Sequence, residues 1–245
     1  MTTAAIIQAR MGSTRLPGKV LLPLAGKTML EHVVARAAAA PGIDLVVLAT
    51  TDLARDDELA ERAAAMGLAC HRGSESDVLA RYVGAAREFD ADLVVRITSD
   101  CPLLDAELVG EILEAREALV RATGPVDYFS NAVIRRYPRG LDTEVVPTAV
   151  LEDVAGRATD PRAREHVTWG LYNDPDRYRC EAFLNEDPDR SDLRWTVDTQ
   201  DDFELVRRIY AAAGDGVFGR ARVLALLDEH PEWNEINAHV EQKRL

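Results

Sequence analysis

Residues 4–40 read AAIIQARMGSTRLPGKVLLPLAGKTMLEHVVARAAAA. The apolar run at 4–9 is continuous, as buried strands of parallel sheets are, and the stretch at 28–40 places apolar residues at three and four spacing, as helices do. Between them lies a turn with Gly12, Pro17 and Gly18 that also carries Arg10, Arg15 and Lys19. Strand, loop and helix in that order make the first half of a βαβ unit.

The same grammar repeats. DLVVLAT (44–50), LACHR (68–72) and DLVVRITS (92–99) read as buried strands, with RDDELAERAAAM (55–66) and SDVLARYVGAAREF (76–89) as helices between them. Such alternation predicts an α/β fold with a mostly parallel central sheet and helices on both faces. From about 124 to 184 the rhythm breaks, with Pro125, Pro138, Pro147, Pro161 and Pro175 among aromatic and polar residues. This segment is read as an insertion lying over the sheet, with short strands and one or two helices, suited to substrate binding or a dimer contact. LRWTVD (193–198) then reads as a strand and TQDDFELVRRIYAAAG (199–214) as a helix capped by Thr199 or Asp198. Two further helical stretches, RARVLALLDEH (220–230) and WNEINAHVEQKRL (233–245), close what is expected to be a single domain over residues 1–245.

Composition narrows the function. A hydrophobic content of 47% over 245 residues supports a full core. The formal net charge of -13 argues against a general affinity for nucleic acid or for anionic membrane. No apolar stretch reaches the roughly 18 residues of a membrane span, and Arg10 and Arg15 follow the first apolar run, where a signal peptide would carry its cations ahead of it. A cytoplasmic protein is expected. Cys70, Cys101 and Cys180 are scattered, without metal-ligand spacing or a disulfide framework.

Against that acidic background the cations at 10–19 point to a bound anion. In open α/β sheets the first βα loop is a common phosphate cradle. Gly12 and Gly18 allow close backbone approach, Ser13 and Thr14 donate hydroxyls, and Arg10, Arg15 and Lys19 neutralise charge, which together suit a triphosphate. The pattern is neither a dinucleotide fingerprint nor a P-loop, and a merely solvated loop is the alternative.

Two aspartates follow apolar strands, Asp100 in VVRITSDCPLLD and Asp198 in RWTVDTQDDF. Mg²⁺ retains most of its waters and takes one or two carboxylates plus phosphate oxygens, so this pair fits, although each could be only a turn or cap residue. Asp201 and Asp202 are assigned to the helix dipole. In HRGSESDVLARY (71–82), Asp77 and the serines have capping roles open to them and Arg81 is expected to pair with Asp77. RRYPRGLDTEVV (135–146) and RAREHVTWGLY (162–172) offer Arg135, Arg136, Arg139, Asp142, Glu144, Arg164, Glu165 and His166 for hydroxyls and a carboxylate.

QARMGSTRLPGKVL (8–21) closely resembles the opening motif of the cytidylyltransferases that make CMP-activated sugars, such as CMP-Kdo synthetase, and most of all their spore coat polysaccharide biosynthesis protein F branch. The resemblance runs to about residue 210. It implies a Rossmann-like nucleotide-diphospho-sugar transferase fold, a homodimer, and a nucleotide site formed by Gln8, Ala9, Arg10, Met11, Gly12, Ser13, Lys19, Arg72, Gly73, Asp77 and Thr98. Catalytic roles fall on Arg10, Arg15, Lys19 and Asp100, and the metal on Asp100 and Asp198. Acceptor binding falls on Arg139, Asp142, Glu144, Arg164, Glu165 and His166, in stretches that match the spore coat branch and depart from CMP-Kdo synthetase. The reaction so implied joins CMP from CTP to an acidic sugar with Mg²⁺ as cofactor, for surface polysaccharide synthesis.

Overall fold

The structure, a computed structural model, describes residues 1–184, 187–214 and 216–242. The chain begins with β1 (Thr3–Gln8), then a 3-10 turn at Lys19–Leu21, the small hairpin β2 (Pro23–Leu24) and β3 (Lys27–Thr28), and α1 (Met29–Ala38). Next come β4 (Leu45–Thr51), a 3-10 turn at Ala54–Asp56, α2 (Asp57–Ala65), β5 (Ala69–Gly73), α3 (Val78–Glu88) and β6 (Leu93–Thr98). After α4 (Ala106–Thr123), the central segment supplies β7 (Tyr128–Ser130), β8 (Glu144–Pro147), α5 (Thr148–Arg157), α6 (Pro161–Glu165), α7 (Trp169–Tyr172) and β9 (Cys180–Ala182). Helices α8 (Gln200–Ala213) and α9 (Arg220–Glu229) and a 3-10 turn at Pro231–Glu235 complete it.

One seven-stranded sheet in the order β5-β4-β1-β6-β8-β7-β9 organises the molecule. The pairs from β5 through β6 are parallel, β8 runs antiparallel to both β6 and β7, and β9 returns parallel to β7. Strands of the central segment therefore extend the sheet, where the sequence suggested a layer over it. Alternation sorts each strand between two cores. Ala5, Ile7, Val46, Leu48, Val95 and Ile97 join one core with residues of α1, α4, α8 and α9. Ala4, Ile6, Val47, Ala49 and Val94 join the other with α3 and α5. Ile6 and Ile7 are fully buried, and burial of each contributes about 1.5–3 kcal/mol.

Helix starts follow their side chains. Thr28 and Glu31 form a reciprocal capping box on α1, Asp77 accepts from the Ala80 amide at α3, and Thr199 with Asp202 repeats the box on α8. Two readings are corrected here. LRWTVD forms no strand; a single bridge joins Arg194 to Arg139, and the Val197 amide bonds to the Asp100 carbonyl instead of to a neighbouring strand. The last segment is a 3-10 turn followed by irregular chain, with residues 243–245 outside the described set. Among the described residues no helix is long and apolar enough to cross a membrane.

Candidate active site

The carboxyl ends of β1 and β6 lie side by side, with Gln8 opposite Thr98, so the loops that leave them share one edge of the sheet. Met11 anchors the first loop: its carbonyl accepts from Ser13 N at 2.9 Å and Gly18 N at 3.2 Å. Gly18 has φ 67°, a left-handed turn that L side chains resist, and it delivers Lys19 into the interior.

Buried Lys19 is the centre of the site. Its ammonium donates to Asp100 Oδ2 at 3.1 Å, Asp198 Oδ1 at 2.9 Å and the Val197 carbonyl at 2.8 Å. Burial alone would push its pKa down, but the two carboxylates outweigh that and hold it above the ordinary lysine value. Burial likewise pushes the Asp100 carboxyl up, and Lys19 with the hydroxyl of Thr98 reverses this to leave it below the usual range. Arg15 reaches Asp198 Oδ2 at 2.9 Å and Arg194 reaches the same oxygen at 2.8 Å.

A second layer fixes Asp198. Asp202 is fully buried and accepts from the backbone amides of Asp198 and Thr199, each at 2.9 Å, from Arg194 Nε at 2.9 Å and from Asn237 Nδ2 at 2.9 Å. Asn237 also donates to the Arg194 carbonyl at 2.9 Å, and Gln242 accepts from Arg194 Nη1 at 2.6 Å. Asp202 thus belongs to this network and is more than a dipole residue; half-buried Asp201 instead meets His239 at 3.1 Å. Arg194, Asn237 and Gln242 had no motif to mark them.

On the other side, Arg96 and Glu144 face each other across β6 and β8 and pair through Glu144 Oε1, while Thr168 donates to Glu144 Oε2 at 2.6 Å and Arg96 Nη2 to Gln8 Oε1 at 3.3 Å. Thr168 is placed by Val167, a buried β-branched residue at φ 41°. Arg135 grips Asp142 with both terminal nitrogens, at 2.5 and 2.9 Å. The loop bearing them closes on itself, since Asn131 donates to the Leu141 carbonyl at 2.8 Å and accepts from Thr143 N at 2.9 Å. Gly140, at φ 105°, crosses the 195–196 peptide so closely that a Cβ would lie 2.7 Å from Thr196 N. Arg139 stands near Arg135, Asp142 and Arg194, its pKa lowered by burial and by those cations, and lines a cavity of about 360 Å³ shared with Trp195 and Asn237.

The remaining expected site residues are placed as follows. Ala9 is buried and bonded to Ala49, Ser13 Oγ accepts from Leu16 N, and Thr98 Oγ1 lies 3.3 Å from Cys101 Sγ. Arg72 donates to the carbonyls of Thr51 and Leu53 and pairs with Asp57 at 2.7 Å. Asp77 pairs with Arg164 at 3.2 Å, and Arg81 donates to Ser74 O, which corrects the expected Asp77–Arg81 pair. Arg164 also holds the carbonyls of Ala155 and Ala158, tying α5 to α6. Gly73 packs against Arg81. Glu165 is exposed, and among the described residues neither its side chain nor that of His166 bonds to the cluster above.

A cationic first loop whose Lys19 gathers Asp100, just past β6, and Asp198, just ahead of α8, at one edge of the sheet defines a nucleotide-handling α/β site. The family described as cytidylyltransferase matches residues 4–207, and the chain belongs to it. It is 35% identical over 236 residues to the spore coat polysaccharide biosynthesis protein SpsF of Bacillus subtilis, covering 93% of this chain and 94% of that one. Identity to the 3-deoxy-manno-octulosonate cytidylyltransferase of Maricaulis maris is 40% over 126 residues, covering 48% and 46% of the two chains. A cytidylyltransferase structure from Leptospira borgpetersenii superposes over 100% of both chains with a TM-score of 0.89 at 28% identity. The protein is a CTP-dependent nucleotidyltransferase of this fold.

Proposed function

We propose that the protein is a Mg²⁺-dependent cytidylyltransferase that joins CMP from CTP to an acidic sugar and releases pyrophosphate, for surface polysaccharide synthesis. The observation that carries this reading is Lys19 bridging Asp100 and Asp198 beside Arg15, a set in which two carboxylates and two cations converge. Among the described residues no group of three or more His, Cys, Asp or Glu forms a metal site, so the protein's share of the ion would be Asp100 and Asp198. Two carboxylates fit Mg²⁺, which keeps most of its waters and draws its other ligands from phosphate. When bound, the ion would neutralise phosphate charge and polarise the α-phosphoryl group.

The chain's own residues do the rest. Arg10, Arg15 and Lys19 hold the triphosphate and take up the charge that develops on the departing pyrophosphate. Arg194 and Asp202 keep Asp198 from drifting. An acceptor oxygen, held in line on the side of Asp142 and Glu144, attacks the α-phosphorus as the bond to the β-phosphate oxygen breaks. Arg139 makes no ion pair of its own among the described residues and is the natural handle for the acceptor's carboxylate. Large apolar side chains exposed in the central segment, Val133, Ile134, Tyr172 and Leu184, support a homodimer through that segment, and CTP as substrate supports a cytoplasmic location.

Thermal stabilisation by CTP, UTP, ATP and GTP, with and without Mg²⁺, tests the nucleotide; pyrophosphate release in the presence of acidic sugars tests the reaction. A Mg²⁺-dependent shift selective for CTP is expected. Preference for UTP, or turnover of UDP-sugars without pyrophosphate release, would replace the proposal with glycosyl transfer.

A further inference from the structure

Beside the phosphate loop stands a cation that the sequence pattern did not reveal. Asp56 is fully buried; its Oδ1 accepts from Met11 N at 2.6 Å and its Oδ2 from the Thr51 hydroxyl. A carboxylate so placed locks the 3-10 turn Ala54–Asp56 onto the loop. Arg55 is thereby laid across Gly12: a Cβ there would sit 3.1 Å from the guanidinium carbon, so the absence of a side chain at 12 is what lets the cation lie against the loop.

Opposite lies Glu75, in the connection from β5 to α3. Its Oε1 receives Arg10 Nη1 at 3.3 Å and, closer still, Arg55 Nη2. Two guanidinium groups from different loops thus converge on one anionic oxygen at the mouth of the cradle. The neighbouring cations are committed elsewhere, Arg72 to Thr51 O, Leu53 O and Asp57, and Arg81 to Ser74 O. Arg10 and Arg55 are about half exposed and Glu75 about a third, at 45%, 49% and 31%. Ion pairs at such exposure contribute at most about 1 kcal/mol, so a polyphosphate of higher charge can take their place.

We propose that Arg55 is a further triphosphate-binding residue, and that Glu75 is a stand-in for substrate phosphate that holds Arg10 and Arg55 together until nucleotide displaces it. This rests on the reading of the loop as a triphosphate cradle. It adds a cation from the β4–α2 connection and makes Glu75 a competitor of the substrate, lowering affinity for CTP while keeping the two arginines positioned.

Calorimetric titration of the wild type, Arg55→Ala and Glu75→Gln with CTP, CMP and inorganic tripolyphosphate tests it. Arg55→Ala should weaken CTP and tripolyphosphate by about tenfold and leave CMP unchanged, the size of one charge-assisted contact. Glu75→Gln should tighten both polyphosphates several-fold. Equal weakening of CMP by Arg55→Ala would make the residue structural and overturn the assignment, as would unaltered CTP binding. Weaker polyphosphate binding by Glu75→Gln would show that the carboxylate orders the site and does not compete. Should the wild type bind neither CTP nor tripolyphosphate, the cradle reading itself fails; wild-type binding with an indifferent Arg55→Ala removes only Arg55. Circular dichroism checks the fold, and Arg55→Lys should restore part of the lost affinity.

Discussion

Asn237 and Asp202 stand 35 residues apart in the chain and meet at 2.9 Å in the interior, which brings the C-terminal segment into the support of Asp198. Asn237 binds the Arg194 carbonyl as well, and Arg194 binds Asp198. A residue far from the loop of cations thus helps to set the angle of a proposed metal ligand.

Asn237→Ala would leave the Arg194 carbonyl and Asp202 Oδ1 each short of a buried donor, at a cost of about 1–3 kcal/mol. Urea denaturation should show that loss, and a Mg²⁺ titration of turnover should show a raised half-saturation. A wild-type Mg²⁺ dependence in the variant would mark the tail as passive.

Lys19→Ala should lower turnover by about a hundredfold or more if, as proposed, its charge meets the leaving group in a shielded site. It also leaves Asp100 without its cation. Mg²⁺ should therefore stabilise this variant more than it stabilises the wild type, read as a larger rise in Tm. Near-normal pyrophosphate release by the folded variant would remove Lys19 from the mechanism.

Removing one partner of the buried Arg96–Glu144 pair should be worse than removing both. Glu144→Ala should cost about 3–5 kcal/mol, whereas Arg96→Met with Glu144→Leu should recover most of it. Acceptor-dependent turnover should stay low in the double variant, and its return would show that the pair only supports the sheet.

His32 gives a pH signature. Burial holds its pKa below the ordinary value, while its Nε2 donates to the Leu24 carbonyl at 2.7 Å and its ring lies 4.3 Å from that of Tyr210. Lys27 and Arg36 push the same way, and the backbone bond and Glu31 oppose them. The unfolded chain binds the proton first as pH falls through about 6.5, so His32 contributes stability above that value and loses it below. Tm measured between about pH 7 and pH 5 should fall, and His32→Gln should flatten that part of the fall.

The first half of the fold was legible because buried parallel strands are unbroken apolar runs and the helices between them keep one apolar face. LRWTVD misled for the same reason. Trp195 and Val197 are as buried as any strand residue, yet the Val197 amide bonds to the Asp100 carbonyl and its own carbonyl takes Lys19. In WNEINAHVEQKRL the helical spacing was outweighed by asparagine, whose side chain competes for backbone groups; Asn237 does so across the fold. Arg15 and Lys19 could be read together because they share the loop after the first apolar run, and Asp100 and Asp198 because each closes an apolar run. Arg55, Arg194 and Gln242 depend on contacts between distant segments, and no local spacing encodes those.

Asn131 clasps the base of the loop that carries Arg135, Arg139 and Asp142, bonding both Leu141 and Thr143. A loop fastened at its own root can be exchanged as a cassette without unpicking the strands beneath it. A replacement must still keep the backbone bonds of Arg136 and Arg139 to the 190–195 segment, and a residue without a side chain where Gly140 passes the 195–196 peptide. Within those demands, and if the loop holds the acceptor as proposed, its side chains could change while the cation loop and the Lys19 cluster stay as they are.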